Sequence, residues 1–482
     1  MNIHPGRACA NRAPAACGSG PPVAPRRHWL YLAILLLIYL TSSMDRMLVS
    51  IAGEPIKREL GLADWQLGVL NGIAFSVLYV GLGLPLARLA DRGNRVTIIA
   101  ICLAAWSAMT ALCGLALNFV QLALCRMGVG IGEAGCVPAS HSLISDYFPS
   151  SRRTTALALF GLGLPLGGLI SMSLGGLVID RFGWRSVFFL LGLPGLLLAV
   201  IARAILKEPT RSGHGVPDGA PAWDNPGGTT DREPLRIPLL YLARSSMARN
   251  TLIGMTLATF FSSPSASFLA PYMARSFGLS YAAIGAMLGI AVMGGMAIST
   301  FWGGLAADRL APRDRRWYLW LAAGSQLCGT LLFALAVAQP APQGLFAVLI
   351  LSSLFGAAFT TPCYALLYAI VRPQWRATTA ATCGILTSLV ALGLGPVIFG
   401  LLVDVLTAMD LGRSGFAIVA GACIHGGTGM IPDAAQAAAC AHANVSALRI
   451  AFIGFALAGV WPVLHFLMAA RALRRHPYFM VA

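Results

Sequence analysis

Leu89-Ala90-Asp91-Arg92 and Ala306-Ala307-Asp308-Arg309 stand 217 residues apart, and each follows one apolar run and precedes another. A second set of landmarks repeats at nearly the same offset, because Arg152 and Asp180 answer Arg376 and Asp404, both 224 residues further on. Shared hydrophobicity alone does not place matched Asp-Arg pairs between apolar runs. The chain therefore reads as one unit written twice in the same direction.

The surrounding composition says what that unit is made of. Of 482 residues, 57% are hydrophobic and only 11% charged, with a mean hydropathy of +0.74, outside the balance of a soluble globular protein. A helix crossing a bilayer core needs about 20 apolar residues, and twelve such runs can be counted, the first over 29–51, the fourth over 119–144, the tenth over 344–370 and the eleventh over 377–402. A soluble multidomain enzyme is excluded. The pattern predicts an all-α membrane protein with twelve transmembrane helices in two pseudo-symmetric six-helix bundles, over 29–206 and 250–470. Residues 1–28, rich in Pro, Ala and Arg, read as a disordered tail; 207–249, rich in Pro, Gly and Asp, as a linker; and 471–482 as a second tail. Parallel duplication of six spans is one of the repeat plans of secondary transporters.

The formal charge of +16 would point to nucleic acid if the basic residues formed one patch. Instead they follow the topology. With the amino terminus inside, 25 of the 34 Lys and Arg residues fall on the inner side and 7 on the outer; basic loops are retained in the cytoplasm. Both termini and the linker are expected to be cytoplasmic, in the inner membrane of a bacterium, with no nucleic-acid partner. Seven of the eleven cysteines lie in apolar runs, and no Cys/His spacing suits zinc. Cys423 and Cys440 lie in a polar stretch on the outer side, where a disulfide can persist. No nucleotide-binding P-loop is present, so ATP is not expected to drive transport directly, and no cofactor or metal is expected.

Three strings carry a family resemblance. They are Met44-Asp45-Arg46 late in the first span, Arg126-Met-Gly-Val-Gly-Ile-Gly-Glu133-Ala-Gly in the fourth, and Ala307-Asp308-Arg309-Leu followed by Arg313-Asp-Arg-Arg-Trp317. With the span count and the duplication, the sequence resembles the major facilitator superfamily over about 29–475, and within it the Spinster-like transporters. The superfamily loop motif has Ala87 and Asn94 where it carries Gly, and Gly304 and Ala311 at the same places in the second half. This resemblance implies proton-coupled movement of lysolipids or sphingoid lipids by a monomer. It also implies a cytoplasmic latch made by Asp91, Arg92, Arg95, Asp308, Arg309 and Arg313, which Asp146, Arg152 and Arg153 can join, with Asp91 near the start of the eleventh span. Phe182-Gly-Trp184-Arg185 and Gly192-Leu-Pro194-Gly are shared with the symporters of small organic anions, which leaves sugar acids, or export of a drug or metabolite, as the alternative.

Asp45, Arg46, Arg126 and Glu133 are the charged residues set deep in the predicted spans. Each costs about 2.5 to 3.5 kcal/mol to insert. Asp45 and Arg126 fall at similar depth, and Glu133 lies two turns along the Arg126 face of its helix. One reading is a relay in which Asp45 or Glu133 holds a proton in one access state and pairs with Arg126 or Arg46 in the other; the other is a static ion pair that fixes helix register. Arg126 is the expected ligand for an anionic head group, with Arg46 and Glu133 beside it. In the second half the candidates are uncharged: Thr360, Thr361, Tyr364 and Tyr368 recur at helical spacing in the tenth span, with Ser262 and Ser263 beside Pro264 in the seventh. They either line the cavity or bond their own backbone. Gly161-Leu-Gly-Leu-Pro165-Leu-Gly and Gly393-Leu-Gly-Pro396 are expected to be close-packing and bend points.

Overall fold

The computed structural model describes residues 25–148, 150–209, 236–372, 375–426 and 431–473; most of both expected tails and of the expected linker lies outside them, and residues 25–28 and 471–473, expected in the tails, are helical. Twelve helices among these are long and apolar enough to cross a membrane. The first half holds α1 (Pro25–Leu60), α2 (Asp64–Asn71 and Ile73–Arg92), α3 (Arg95–Cys113), α4 (Phe119–Ala134 and Cys136–Tyr147), α5 (Ser150–Gly161 and Gly163–Phe182) and α6 (Trp184–Ile205). The second holds α7 (Ser246–Phe277), α8 (Tyr281–Leu310 through a π turn at Gly289–Gly294), α9 (Trp317–Val337), α10 (Pro342–Gly356 and Thr360–Ile370), α11 (Arg376–Arg413 through a π segment at Leu386–Leu394) and α12 (Ala434–Ala458 and Trp461–Leu473).

The duplication is carried down to single turns. Gly61 ends α1 and Gly278 ends α7 with φ of 64° and 61°, a left-handed conformation that glycine adopts without penalty. The two residues are 217 apart. In both halves this turn sits at the face away from the linker, called here the far face; the side carrying the linker is the linker face.

Three differences from the sequence reading follow from pairing across the molecule. The first span, expected over 29–51, continues to Leu60 and takes Glu54, Lys57 and Arg58 into the helix. The eleventh, expected to end at 402, runs to Arg413 and includes buried Asp404. Charges expected in loops are helical because partners from other helices satisfy them. The linker, expected through 249, contains a helix at Arg236–Arg244, and α7 already begins at Ser246.

The apolar core has a revealing layout. Near the far face one continuous cluster joins the halves, with Leu48, Ile51 and Phe188 packed with Phe268, Phe399 and Phe452. Toward the linker face the core divides into one cluster around Leu35, Trp106 and Tyr147 and another around Leu319, Leu366 and Phe466. Among the described elements no extensive packing joins the linker-face ends of the two halves. The molecule is closed at the far face and divided at the linker face. An insert between α11 and α12 is tied by a Cys423–Cys440 disulfide, S–S 2.00 Å, and its short helix Ala420–Gly426 also touches α1.

Candidate functional site

The charges of the first half meet where α1, α2 and α4 come together. Glycines make the approach possible: a Cβ at Gly130 would lie 2.5 Å from the Phe75 carbonyl oxygen, and one at Gly132 would lie 2.6 Å from the Trp106 side chain. Because those positions are bare, α4 lies close enough to α2 and α3 for its charges to reach α1. Glu133 Oε2 accepts from Arg46 Nε at 2.7 Å and from Ser42 Oγ at 2.8 Å. The Arg46 guanidinium lies over Phe75 and Tyr79, 5.1 and 4.9 Å from the ring centres, a favourable seat for a cation. Its side chain is 26% exposed, whereas that of Glu133 is fully covered.

A second, sealed tier involves Asp45 and Arg126. Arg126 Nη1 donates to the Asp45 backbone carbonyl at 3.3 Å, and its guanidinium lies 5.7 Å from the Phe75 ring centre. One aromatic ring thus contacts both guanidinium groups. Asp45 Oδ1, Arg126 Nε and Glu133 Oε1 are buried with no hydrogen-bond partner among the described residues. Bonding capacity left unused in so apolar a place is costly, and such groups concentrate where protons or ligands are handled.

The sequence reading marked these four residues and left open which carboxylate, Asp45 or Glu133, pairs with Arg126 or Arg46. Arg126, expected to grip a head group, is only 2% exposed, because its own chain and Phe75 enclose it. The cation that reaches the open side is Arg46. Glu133 pairs with Arg46, while Asp45 makes no side-chain ion pair among the described residues.

The second half contributes hydroxyls and rings. Thr360 Oγ1 donates to Ala357 O at 2.8 Å and so serves its own helix where α10 breaks. Thr361 is exposed; Tyr364 and Tyr368 are half-buried with ring centres 5.9 Å apart. Ser262 is exposed and bonds Thr259 O, and Ser263 bonds Ala391 O across to the π segment of α11. The glycine runs do sit at close contacts: a Cβ at Gly167 would meet Leu40 O at 2.5 Å, and one at Gly395 would meet Ser263 Oγ at 2.3 Å.

At the far face lies a charged closure that sequence reasoning missed. Asp64 is fully buried; its Oδ2 takes Lys57 Nζ at 2.7 Å and its Oδ1 takes Arg275 Nη2 of the other half at 2.7 Å. Arg275 Nε also reaches Glu54 at 2.7 Å. Two further carboxylates cap helices across the divide. Asp404 within α11 accepts from the backbone N–H groups of Asp64 and Trp65 at 3.1 and 2.9 Å, and Asp180 near the end of α5 accepts from those of Tyr281 and Ala282 at 3.0 and 2.8 Å. An anion there satisfies orphan N–H groups and suits the helix dipole. Along the same two seams a Cβ at Gly68 would lie 2.3 Å from Pro396 O, and one at Gly285 would lie 2.0 Å from Met172 O. The two caps and the two glycine contacts are counterparts of each other at offsets of 217 and 224, whereas the Lys57–Asp64–Arg275–Glu54 ion pairs have no such counterpart. The signal for this closure was the Asp180–Asp404 match, which the sequence reading used only as a mark of duplication.

At the linker face Arg95 Nη1 meets Asp146 Oδ2 at 2.6 Å, and its Nε meets Glu208 at 2.7 Å, all within the first half and its adjoining linker residue. Arg152, Asp308, Arg309 and Arg313 are exposed and make no ion pair among the described residues; the side chains of Asp91 and Arg92 lie outside them. Nearby, hydrogen bonds from Arg316 hold the Asp314 carboxyl below its ordinary pKa.

Comparison with known proteins agrees with this architecture. The family model described as "Major Facilitator Superfamily" matches residues 35–324. An "MFS-type efflux pump" of Mycolicibacterium smegmatis is 33% identical over 405 residues, 82% of this chain and 90% of that protein. The "Probable L-galactonate transporter" of Escherichia coli is 28% identical over 386 residues, 77% of this chain and 83% of its own length. Among solved structures, a bacterial homologue of the human lysosomal transporter Spinster, inward-facing and unoccupied, superposes with a TM-score of 0.82 at 28% identity, covering 95% of this chain and 99% of that one.

Proposed function

The chain belongs to the major facilitator superfamily and is a transporter, and from that premise we propose that it moves an amphipathic, anionic-headed lipid such as a lysophospholipid by proton-coupled alternating access. The observation that carries this reading is the Arg46–Glu133 pair, half open between Phe75 and Tyr79 while Arg126 and Asp45 are sealed. An anionic head group entering from the linker face competes with Glu133 for Arg46. Glu133 gives up that guanidinium at low cost only if it takes a proton, since an unpaired buried carboxylate is expensive. Anion and proton therefore bind together. Asp45 is the second proton site, reached when the far face opens and Arg126 turns toward it.

The acyl part of the substrate rests against the second half, where Thr360, Thr361, Tyr364 and Tyr368 supply rings and hydroxyls rather than charge, the Thr360 hydroxyl being spent on its own helix. The linker face is the cytoplasmic side of a bacterial inner membrane, supported by its excess of Arg. Asp91, Arg92, Arg95, Asp308, Arg309 and Arg313, with Asp146, Arg152 and Arg153, form the latch that closes this face in the alternate state, and the exposure of Arg152, Asp308, Arg309 and Arg313 fits a latch undone. One chain suffices, with no cofactor beyond the proton gradient.

The second reading is a symporter of small organic anions, favoured by the L-galactonate relative and by the fact that Arg46 alone can hold a carboxylate. The test is uptake into proteoliposomes of a labelled lysophospholipid, a sphingoid base and a hexuronate under an imposed proton gradient. Lysophospholipid movement supports the first reading; hexuronate movement without lipid establishes the second.

A further inference from the structure

The linker helix Arg236–Arg244, with sequence Arg-Ile-Pro-Leu-Leu-Tyr-Leu-Ala-Arg, carries apolar side chains on two sides. Pro238 and Leu242 are buried against the second half, whereas Ile237, Leu239 and Leu240 are 39 to 48% exposed. The helix is fixed where the spans emerge: the Tyr241 hydroxyl donates to Ile370 O at the end of α10 at 3.1 Å, and its ring lies 5.5 Å from Trp375, just before α11. An amphipathic helix held at that level lies at the boundary of acyl chains and head groups.

Between this helix and the ends of α7, α11 and α12 runs an open groove of about 580 Å³, apolar along Ile237, Leu240, Met247, Trp375 and Ala472 and basic at one end through Arg244. Arg249 comes to the same corner, its Nη1 donating to Ala243 O at 3.1 Å. Two exposed guanidinium groups at the head of an apolar trough match one class of molecule in both charge and shape.

We propose that this groove is a docking site for an anionic phospholipid of the surrounding leaflet, with one acyl chain along Ile237, Leu240 and Trp375 and the phosphate against Arg244 and Arg249. Two arginines so placed draw an anionic head group from the adjacent leaflet, and a zwitterionic lipid meets them with no net charge. A free phosphate finds the arginines but leaves the apolar trough unfilled. The site is separate from the Arg46–Glu133 cavity and stands whatever the transported substrate is. Because Trp375 and Tyr241 join the helix to the α10–α11 corner, an occupant braces the end of α11 against α7.

The test uses the full chain in vesicles containing tracer phosphatidylglycerol or phosphatidylcholine brominated on the acyl chain, reading the part of the tryptophan quenching that Trp375→Phe removes. Brominated phosphatidylglycerol is expected to reach half-quenching of that component at a several-fold lower mole fraction than brominated phosphatidylcholine. The preference should vanish in Arg244→Gln/Arg249→Gln and persist when inorganic phosphate is added. In Leu240→Asn both lipids should quench less. Equal quenching by the two lipids in the wild type, a preference that survives the double substitution, or displacement by inorganic phosphate would each overturn the proposal. Shielding of Trp375 from both lipids, the sign of a peptide or second chain in the groove, would do so as well.

Discussion

In the proposed mechanism coupling turns on Glu133, which among the described residues joins a covered carboxylate to a cation that the open side can reach. Replacing it by Gln keeps the shape but removes the charge that a proton must cancel. Glu133→Gln is expected to bind substrate with an affinity that no longer changes with pH and to exchange labelled for unlabelled substrate while losing uphill uptake. Counterflow and gradient-driven assays on the same vesicles check this. Arg46→Gln removes a hydrogen bond to a charged partner worth about 1.5 to 3 kcal/mol, so the half-saturating concentration for an anionic substrate should rise roughly 10-fold or more; an unchanged value would return the head group to Arg126. The four charges were legible in the sequence because ionised residues inside apolar runs are conspicuous. Their pairing was not. Side-chain reach places Arg46 on Glu133 and encloses Arg126, and a helical wheel carries neither fact.

At the scale of elements, two equivalent seams of the far-face closure join four helices, α2 with α11 and α5 with α8. Asp180 and Asp404 each cap a helix of the opposite half, and loss of a cap costs about 0.5 to 2 kcal/mol. Asp180→Ala/Asp404→Ala should shift the population toward a far-face-open state, seen as faster alkylation of a cysteine placed at Leu67. Gly285→Leu is the stronger version: a side chain cannot enter a space where Cβ would already lie 2.0 Å from Met172 O, so this variant should be held out of the present conformation and fail to transport while still folding. Asp64→Ala tests a different consequence. It leaves Lys57 and Arg275 buried without their shared anion, and breaking such a set costs about 3 to 5 kcal/mol, which a thermal-shift measurement in detergent should register as a marked fall in Tm. Beyond the Asp180–Asp404 match, this closure did not stand out in the sequence, since Glu54, Lys57, Asp64 and Arg275 lie at span ends, where charge is ordinary. Only the fold shows that these ends are buried against each other. The breaks in α4 and α10 and the π segment of α11 likewise arise where helices cross, and hydropathy does not register them.

For the whole molecule, the division of the core sets the direction of motion. One apolar cluster joins the halves at the far face, and two separate clusters lie toward the linker face, so rocking about the centre must open the first interface as it brings the linker-face ends together. Spin labels on the linker-face ends of α4 and α10 should therefore move closer in Gly285→Leu than in the wild type. Twelve spans and their duplication were readable from hydropathy and the matched Asp-Arg pairs, because those are properties of the chain itself. Which face is closed depends on contacts between residues hundreds of positions apart. The central claim is that an anionic head group and a proton occupy the Arg46–Glu133 site together. The most direct test adds the substrate found in the uptake panel to purified protein in weakly buffered detergent and reads the pH change. The wild type is predicted to take up a proton on binding and Glu133→Gln to bind without uptake; binding that leaves the pH unchanged in the wild type, or equal uptake by both proteins, would contradict it.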